Sequence, residues 1–573
     1  MKESIVQVQG LSKCFPSAPK PALKDINLDI EAGKFTGIVG ADGAGKTTLM
    51  RLLAGLLLPD AGTITIDSRD RFKDSESLTH DISYMPQRFG LYEDLSLQEN
   101  LNLYAKLQGL DVNTQKTQSE KLLSLTNLLP FKKRLAGALS GGMKQKLGLA
   151  CALMKMPKLL LLDEPSVGVD PISRRELWAL VAEFIAQGMT VIWSTSYLDE
   201  AEKCSRVLLL NEGEVIFHGE PYDLSQEVKD RTFTLSGSSN KRILLSQLEE
   251  NPLMLDGNIQ GDKVHVMLRD EQAINEFKHQ ITIPNLHIEQ VEPKFEDGFI
   301  NRLGGTSGLS KLSKTVPEIS VDIDDVICCK QLTKQFGNFK ATDNMTLNIK
   351  KGEVFGFLGP NGAGKSTTFK MLCGLLKPSS GEIKVMGMDL IQSPSIVRQK
   401  IGYMAQKFSL YEALTVLQNL YFFSGVYGLR KKQRENIIHE VIEIFKLESI
   451  LAYKTASLSL GFKQRLALAC AIMHRPAILF LDEPTSGVDP ITRREFWGHI
   501  SALTMKGVTI MVTTHFMEEA EYCDRIALVY RGKMIAQDTP DNLKAQCSTT
   551  EYKATLEDTF ITLIQNYEQE TAA

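Results

Sequence analysis

Gly40-Ala41-Asp42-Gly43-Ala44-Gly45-Lys46-Thr47-Thr48 and Gly359-Pro360-Asn361-Gly362-Ala363-Gly364-Lys365-Ser366-Thr367 are two copies of one pattern, G-x-x-x-x-G-K-[ST], in one chain. Each follows an apolar, strand-like run (Phe35 to Val39; Val354 to Leu358) and opens an apolar helical pattern. In that context the glycines let the backbone wrap around phosphates, and main-chain N–H groups point inward. The helix N-terminus adds partial positive charge. Lys46 and Lys365 are placed to contact the β and γ phosphates, and Thr47 and Ser366 to ligate Mg²⁺. The two lysines lie 319 residues apart (365 − 46). The same offset relates Gln87 to Gln406, Asp163 to Asp482, Asp170 to Asp489 and Cys151 to Cys470. A period this long means two homologous domains, not a solenoid.

Working outward, each half carries a short apolar run that ends in Asp-Glu-Pro: Leu159 to Leu162 before Asp163-Glu164, and Ile478 to Leu481 before Asp482-Glu483. Such a run reads as a fully buried parallel strand, and ligand groups gather at the carboxyl ends of such strands. Asp163 and Asp482 are placed to hold Mg²⁺. Glu164 and Glu483 are placed to polarise an attacking water. A cap or surface turn would account for either Asp-Glu-Pro alone. The upstream phosphate loop makes the catalytic reading the better one.

Leu139-Ser140-Gly141-Gly142-Met143-Lys144-Gln145 then resembles the LSGGQ signature of the ABC transporter nucleotide-binding family, and the resemblance covers most of the chain. It implies an α/β fold: two P-loop NTPase cassettes of ABC type, with ATP and Mg²⁺ bound. In that family the signature of one cassette closes over the nucleotide held by another, so that Ser140, Gly141 and Gly142, or Ser459 and Gly461, face a γ-phosphate. Gln87 and Gln406 match the family's Q-loop, which senses Mg²⁺ and meets a membrane partner. Phe15 and Phe336 sit where the family stacks an aromatic ring on adenine; they read equally well as core residues. The stretches LYEDLSLQENL and LYEALTVLQNL, and Phe295-Glu296-Asp297-Gly298-Phe299 with Leu556-Glu557-Asp558-Thr559-Phe560, resemble the drug and polyketide exporter branch. That resemblance implies separate integral membrane permease subunits, two of them, and a peripheral place on the inner face of the cell membrane.

The halves are not equivalent. His515 fits the family's switch histidine, but the matching position of the first half is Ser196. Serine offers neither the charge nor the reach of imidazole. The second signature reads Leu458-Ser459-Leu460-Gly461-Phe462, with leucine where the first glycine stands. That side chain is expected to crowd the close backbone approach glycine permits. If the cassettes pair within one chain, both defects fall in one composite site, and the other, with Glu483, His515 and Ser140-Gly141-Gly142, is complete.

The first cassette is expected over 4–221, a small α+β domain over 222–305, a flexible linker over 306–325, the second cassette over 326–540, and a helical tail over 541–573. In the small domain Thr232 to Leu235 and Val264 to Leu268 alternate as half-buried strands do, and Ile243 to Leu248 looks helical. The Gly/Ser run near Gly304 marks the linker. Across 573 residues no apolar stretch approaches the roughly 20 residues of a membrane-spanning helix, and no signal-peptide core follows Met1. A cytoplasmic protein is therefore expected, with any crossing done by other chains. The net charge of −4 argues against a dedicated nucleic-acid binder. Nine scattered cysteines without a C-x-x-C pair read as reduced thiols. A sugar-importer ATPase and a ribosome-associated double cassette are the competing functions. The exporter-like stretches weigh against the first, and a mixed, strand-like middle segment weighs against the charged helical hairpin usual in the second.

Overall fold

Burial explains the central sheet of the first cassette. Phe35–Gly40, Leu159–Asp163 and Thr190–Ser194 are buried at every position, as strands covered on both faces must be. In the computed structural model, which describes residues 4–16, 20–87, 90–238, 240–281, 283, 285–306, 310–406, 408–549 and 552–572, these strands lie in a six-stranded sheet. Its order is Glu214–Gly219, Arg206–Asn211, Phe35–Gly40, Thr190–Ser194, Leu159–Asp163, Ile82–Met85. All pairs are parallel except the outermost, Glu214–Gly219 on Arg206–Asn211. A second, antiparallel sheet takes Leu23–Glu31, Ser4–Lys13, Ala61–Ile66 and Arg69–Asp70. The aliphatic faces of the two sheets share one core with the helix Lys46–Leu53.

The second cassette repeats the plan. Its six-stranded sheet runs Ile401–Met404, Ile478–Asp482, Thr509–Thr514, Val354–Leu358, Arg525–Tyr530, Lys533–Asp538. Its antiparallel sheet is Phe339–Lys350, Asp325–Phe336, Ser380–Val385, Met388–Asp389. In both cassettes the helix after Asp-Glu-Pro starts on an aspartate whose carboxylate accepts from main-chain N–H groups, with proline next. Asp170 caps Pro171–Ala186, and Asp489 caps Pro490–Met505.

The stretch between cassettes folds as a four-stranded antiparallel sheet, in the order Met254–Gln260, Lys263–Leu268, Thr232–Ser236, His287–Gln290. The helices Lys241–Leu248 and Ala273–Gln280 join it around a core that includes Leu235, Leu245, Val266 and Phe277. The chain forms two compact units, and their borders differ from those expected. Residues 292–304 group with the first cassette and 230–291 with the second. The helix Phe295–Arg302 carries the Phe-Glu-Asp-Gly-Phe motif, and its Arg302 meets Glu227. The small sheet is bound to the second cassette instead: Arg242 Nη1 lies 2.7 Å from Asp524 Oδ1, and Asp262 N donates to Asp541 Oδ2 at 2.7 Å.

Within 306–325, expected as a flexible linker, the helix Leu312–Thr315 packs on the helix Pro490–Met505 with Leu312 buried. Residues 307–309 of that expected linker lie outside the described residues.

Candidate active site

Each phosphate loop is shaped by glycines that no other residue could replace. Gly45 has φ 107° and Gly364 φ 98°, and a Cβ on Gly45 would lie 2.5 Å from the Ala22 carbonyl oxygen. Both close the loop and start the helix, Lys46–Leu53 or Lys365–Leu372. Gly43 and Gly362 also have positive φ, so consecutive N–H groups converge in an anion-binding concavity. The lysines lie across these loops. Lys46 Nζ donates to the Gly40 carbonyl at 2.8 Å, and Lys365 Nζ donates to the Gly359 carbonyl at 2.6 Å. The ammonium groups are thereby held at the mouths of the loops.

The Asp-Glu pairs arrive at the ends of the buried strands Leu159–Asp163 and Ile478–Asp482. Thr47 Oγ1 donates to Asp163 Oδ1 at 3.3 Å, which puts the expected metal-binding hydroxyl and carboxylate side by side. Glu164 and Glu483 follow with φ 51° and 46°. A non-glycine residue in that region costs on the order of 1–3 kcal/mol, and such strain collects at functional sites. A hydroxyl on the adjacent strand holds each turn in place. Ser194 Oγ donates to Asp163 Oδ1 at 2.6 Å and accepts from the Glu164 N–H at 3.0 Å. Thr513 Oγ1 does the same for Asp482 and Glu483, at 2.5 and 3.0 Å.

Sequence reasoning missed both hydroxyls, and it missed Tyr84, whose OH donates to Asp163 Oδ2 at 3.1 Å. The 319-residue offset relates Ser194 to Thr513, and a shared hydroxyl at the end of two buried strands was the available signal.

The cassettes diverge at the glutamate that follows this aspartate. In the second, Glu483 Oε2 accepts from Gln406 Nε2 at 2.7 Å and lies 3.3 Å from His515 Nδ1. Burial works against the charge on Glu483. His515, Lys365 and the Gln406 amide outweigh it and hold the carboxyl at about 2. In the first, Ser196 donates to Glu164 through its N–H at 3.0 Å and its hydroxyl at 3.1 Å, and Lys46 lies 4.0 Å away. Burial prevails there and pushes the Glu164 carboxyl above the ordinary range. Burial also raises Asp482, against the Thr513 hydroxyl. Gln87 is exposed and makes no hydrogen bond among the described residues, unlike Gln406.

The signature helices begin differently too. Ser140 caps Gly141–Ala152 by accepting from the Met143 N–H, whereas Ser459 makes no side-chain cap on Leu460–Ile472. Leu460 nonetheless opens a regular helix, so its effect is confined to the surface the helix start presents. Phe15 and Phe336 are 36% and 51% exposed, which removes the core reading. Lys13 and Lys334 stand over their rings.

The family described as ABC transporter matches residues 23–167 and 342–486, one segment in each half. The chain is 55% identical over its whole length, and over 99% of the relative, to a probable multidrug ABC transporter ATP-binding protein, YbhF of Escherichia coli (strain K12). The chain belongs to the ABC transporter family. Shorter relatives match single cassettes. A Nod factor export ATP-binding protein I of Mesorhizobium japonicum is 37% identical over 42% of this chain and 69% of its own length. The bacitracin transport ATP-binding protein BcrA of Bacillus licheniformis is 38% identical over 38% of this chain and 71% of its own. As an ABC ATPase the chain binds and hydrolyses ATP. Hydrolysis by such ATPases is an in-line attack of water on the γ-phosphate, helped most by positioning and charge stabilisation.

Proposed function

We propose that the chain is the ATP-hydrolysing motor of an exporter, with one complete and one degenerate composite ATP site. The observation that carries this reading is the second cassette's cluster, in which an ionised Glu483 is flanked by Gln406 and His515 at the end of the strand that carries Asp482. There Glu483 orients and polarises water, His515 reaches the γ-phosphate, and Lys365 stabilises developing charge. Magnesium suits the residues present. A hydroxyl and a carboxylate stand together at Thr47 and Asp163, and Ser366 and Asp482 take the same positions in the second cassette. Bound there, magnesium would neutralise charge on the phosphates. The export reading draws on relatives whose names speak of multidrug, Nod factor and bacitracin transport.

No helix among the described residues is long and apolar enough to cross a membrane. Separate integral membrane subunits, two in number, therefore supply the pathway, and the chain sits peripherally on the inner face of the cell membrane. Within it the cassettes occupy 4–221 and 326–540 and pair with each other. Nucleotide binding draws them together, and its energy biases a two-state element in the permease. Purification of the tagged chain in mild detergent, followed by mass spectrometry, tests this reading. Two small integral membrane proteins in fixed ratio are the expected result. Ribosomal proteins without a membrane partner would overturn it.

A further inference from the structure

Within the second unit, a cavity of about 320 Å³ opens between the small α+β domain and the helix Pro490–Met505, away from the ATP-handling residues. Its walls combine aliphatic Leu245 and Ile259 with aromatic Phe445, Trp497 and Tyr522, and Glu249 joins them from the small domain. The volume falls at the lower end of small-molecule sites, which are mostly apolar with a few placed polar groups.

The charges around it are unevenly matched. Lys311 pairs with Glu443 at 2.7 Å, Arg465 with Glu495 at 2.6 Å, Lys446 with Glu495 at 3.5 Å, and Arg494 with Asp256 at 3.3 Å. Every lining lysine and arginine thus already faces a carboxylate. Among the described residues Glu249 alone of the lining carboxylates has no cation across from it. Trp497 is only 2% exposed, and its indole N–H has no hydrogen-bond acceptor. Gln464 adds to this from a small void that shares Phe445, Arg465 and His499 with the cavity. It is fully buried with both amide atoms unpartnered. Folded proteins seldom leave buried donors and acceptors unmade.

We propose that this cavity binds a small organic cation with an aromatic body and a hydrogen-bond acceptor. The cation would face Glu249 and the aromatic walls, which attract positive charge over their ring faces. The acceptor would take the Trp497 N–H. An anion would meet lysines and arginines that each already face a carboxylate, with Lys446 and Arg465 sharing Glu495, and it would face Glu249 unpaired. Burial, with Asp256 nearby, raises the Glu249 carboxyl to about 7, so the site tolerates its neutral form when no cation is present. For the same reason Glu249→Gln is expected to leave the fold intact.

The test is calorimetric titration of the purified full-length chain with benzyltrimethylammonium, benzyl alcohol and benzenesulfonate at constant ionic strength. The cation is expected to bind saturably, at least about tenfold more tightly than the alcohol or the sulfonate. Glu249→Gln should weaken the cation at least about tenfold while the melting temperature and basal ATP turnover stay as in the parent. Trp497→Phe should weaken binding as well. Equal binding of the three probes, no saturable binding of the cation, or parental affinity in Glu249→Gln would each overturn the proposal. The parent's selectivity among the probes decides the matter even if Trp497→Phe fails to fold.

Discussion

Glu164 and Glu483 stand 319 residues apart at equivalent positions, yet their surroundings pull their carboxyls in opposite directions. Burial disfavours charge at both. Only Glu483 has an imidazole and an amide donor on its carboxylate to outweigh it. A water-orienting carboxylate works in its ionised form, so under the proposed function the second cassette holds the competent group. Glu483→Gln is therefore expected to lower ATP turnover by about 100-fold or more, in line with the loss of a positioned base. Glu164→Gln should change it by less than about twofold. Steady-state phosphate release from the two variants checks this, and the reverse pattern would refute the assignment of the complete site. The sequence disclosed this asymmetry through Ser196 and Leu460. It did not disclose that the turn at each glutamate is held by a hydroxyl from the next strand, because Ser194 and Thr513 look like ordinary strand residues until the sheet order brings them beside Asp163 and Asp482.

At the scale of elements, local patterns were readable and long-range attachments were not. The alternation of Thr232 to Leu235 and Val264 to Leu268 marks strands that the structure places at Thr232–Ser236 and Lys263–Leu268. Nothing in that alternation says which cassette the small sheet joins. The answer lies in pairs far apart in the chain, Arg242 with Asp524 at 2.7 Å and Lys241 with Asp524 at 3.6 Å. Burial raises the Asp524 carboxyl, but the two cations and the Val354 N–H pull it below the ordinary range. A carboxyl lowered on folding stabilises above its unfolded value, near 4, and loses that contribution as pH falls through its native value. The attachment is thus at full strength at neutral pH and weakens only in acid. Breaking a fully buried pair costs about 3–5 kcal/mol. Here Asp524 keeps 28% of its side-chain exposure, so Asp524→Ala should cost about 2 kcal/mol. That is a rise of up to about 30-fold in local opening. Limited proteolysis at neutral pH, scored for cuts within 230–291, reads it out. Cleavage no faster than in the parent would mean that apolar contacts alone hold the domain.

At the scale of the whole molecule, the constant offset from the phosphate loops through the Asp-Glu-Pro motifs is what made the architecture legible, since two phosphate loops in register leave little room for any fold but a duplicated cassette. The same duplication bears on assembly. Each cassette lacks one part: the first lacks the switch histidine, and the second lacks the first glycine of its signature. Pairing of like with like across two chains would place one defect in every site. Pairing within the chain gathers both in one site and leaves the other whole. With turnover blocked by Glu483→Gln, ATP and Mg²⁺ should hold the closed arrangement long enough to weigh it. Light scattering is then expected to give the mass of one chain, 63.8 kDa, with and without nucleotide. A shift to twice that mass on adding ATP, reversed by its removal, would show that closure is made between chains. Glu483 and Ser140 would then act in separate composite sites, each of which tolerates a missing part.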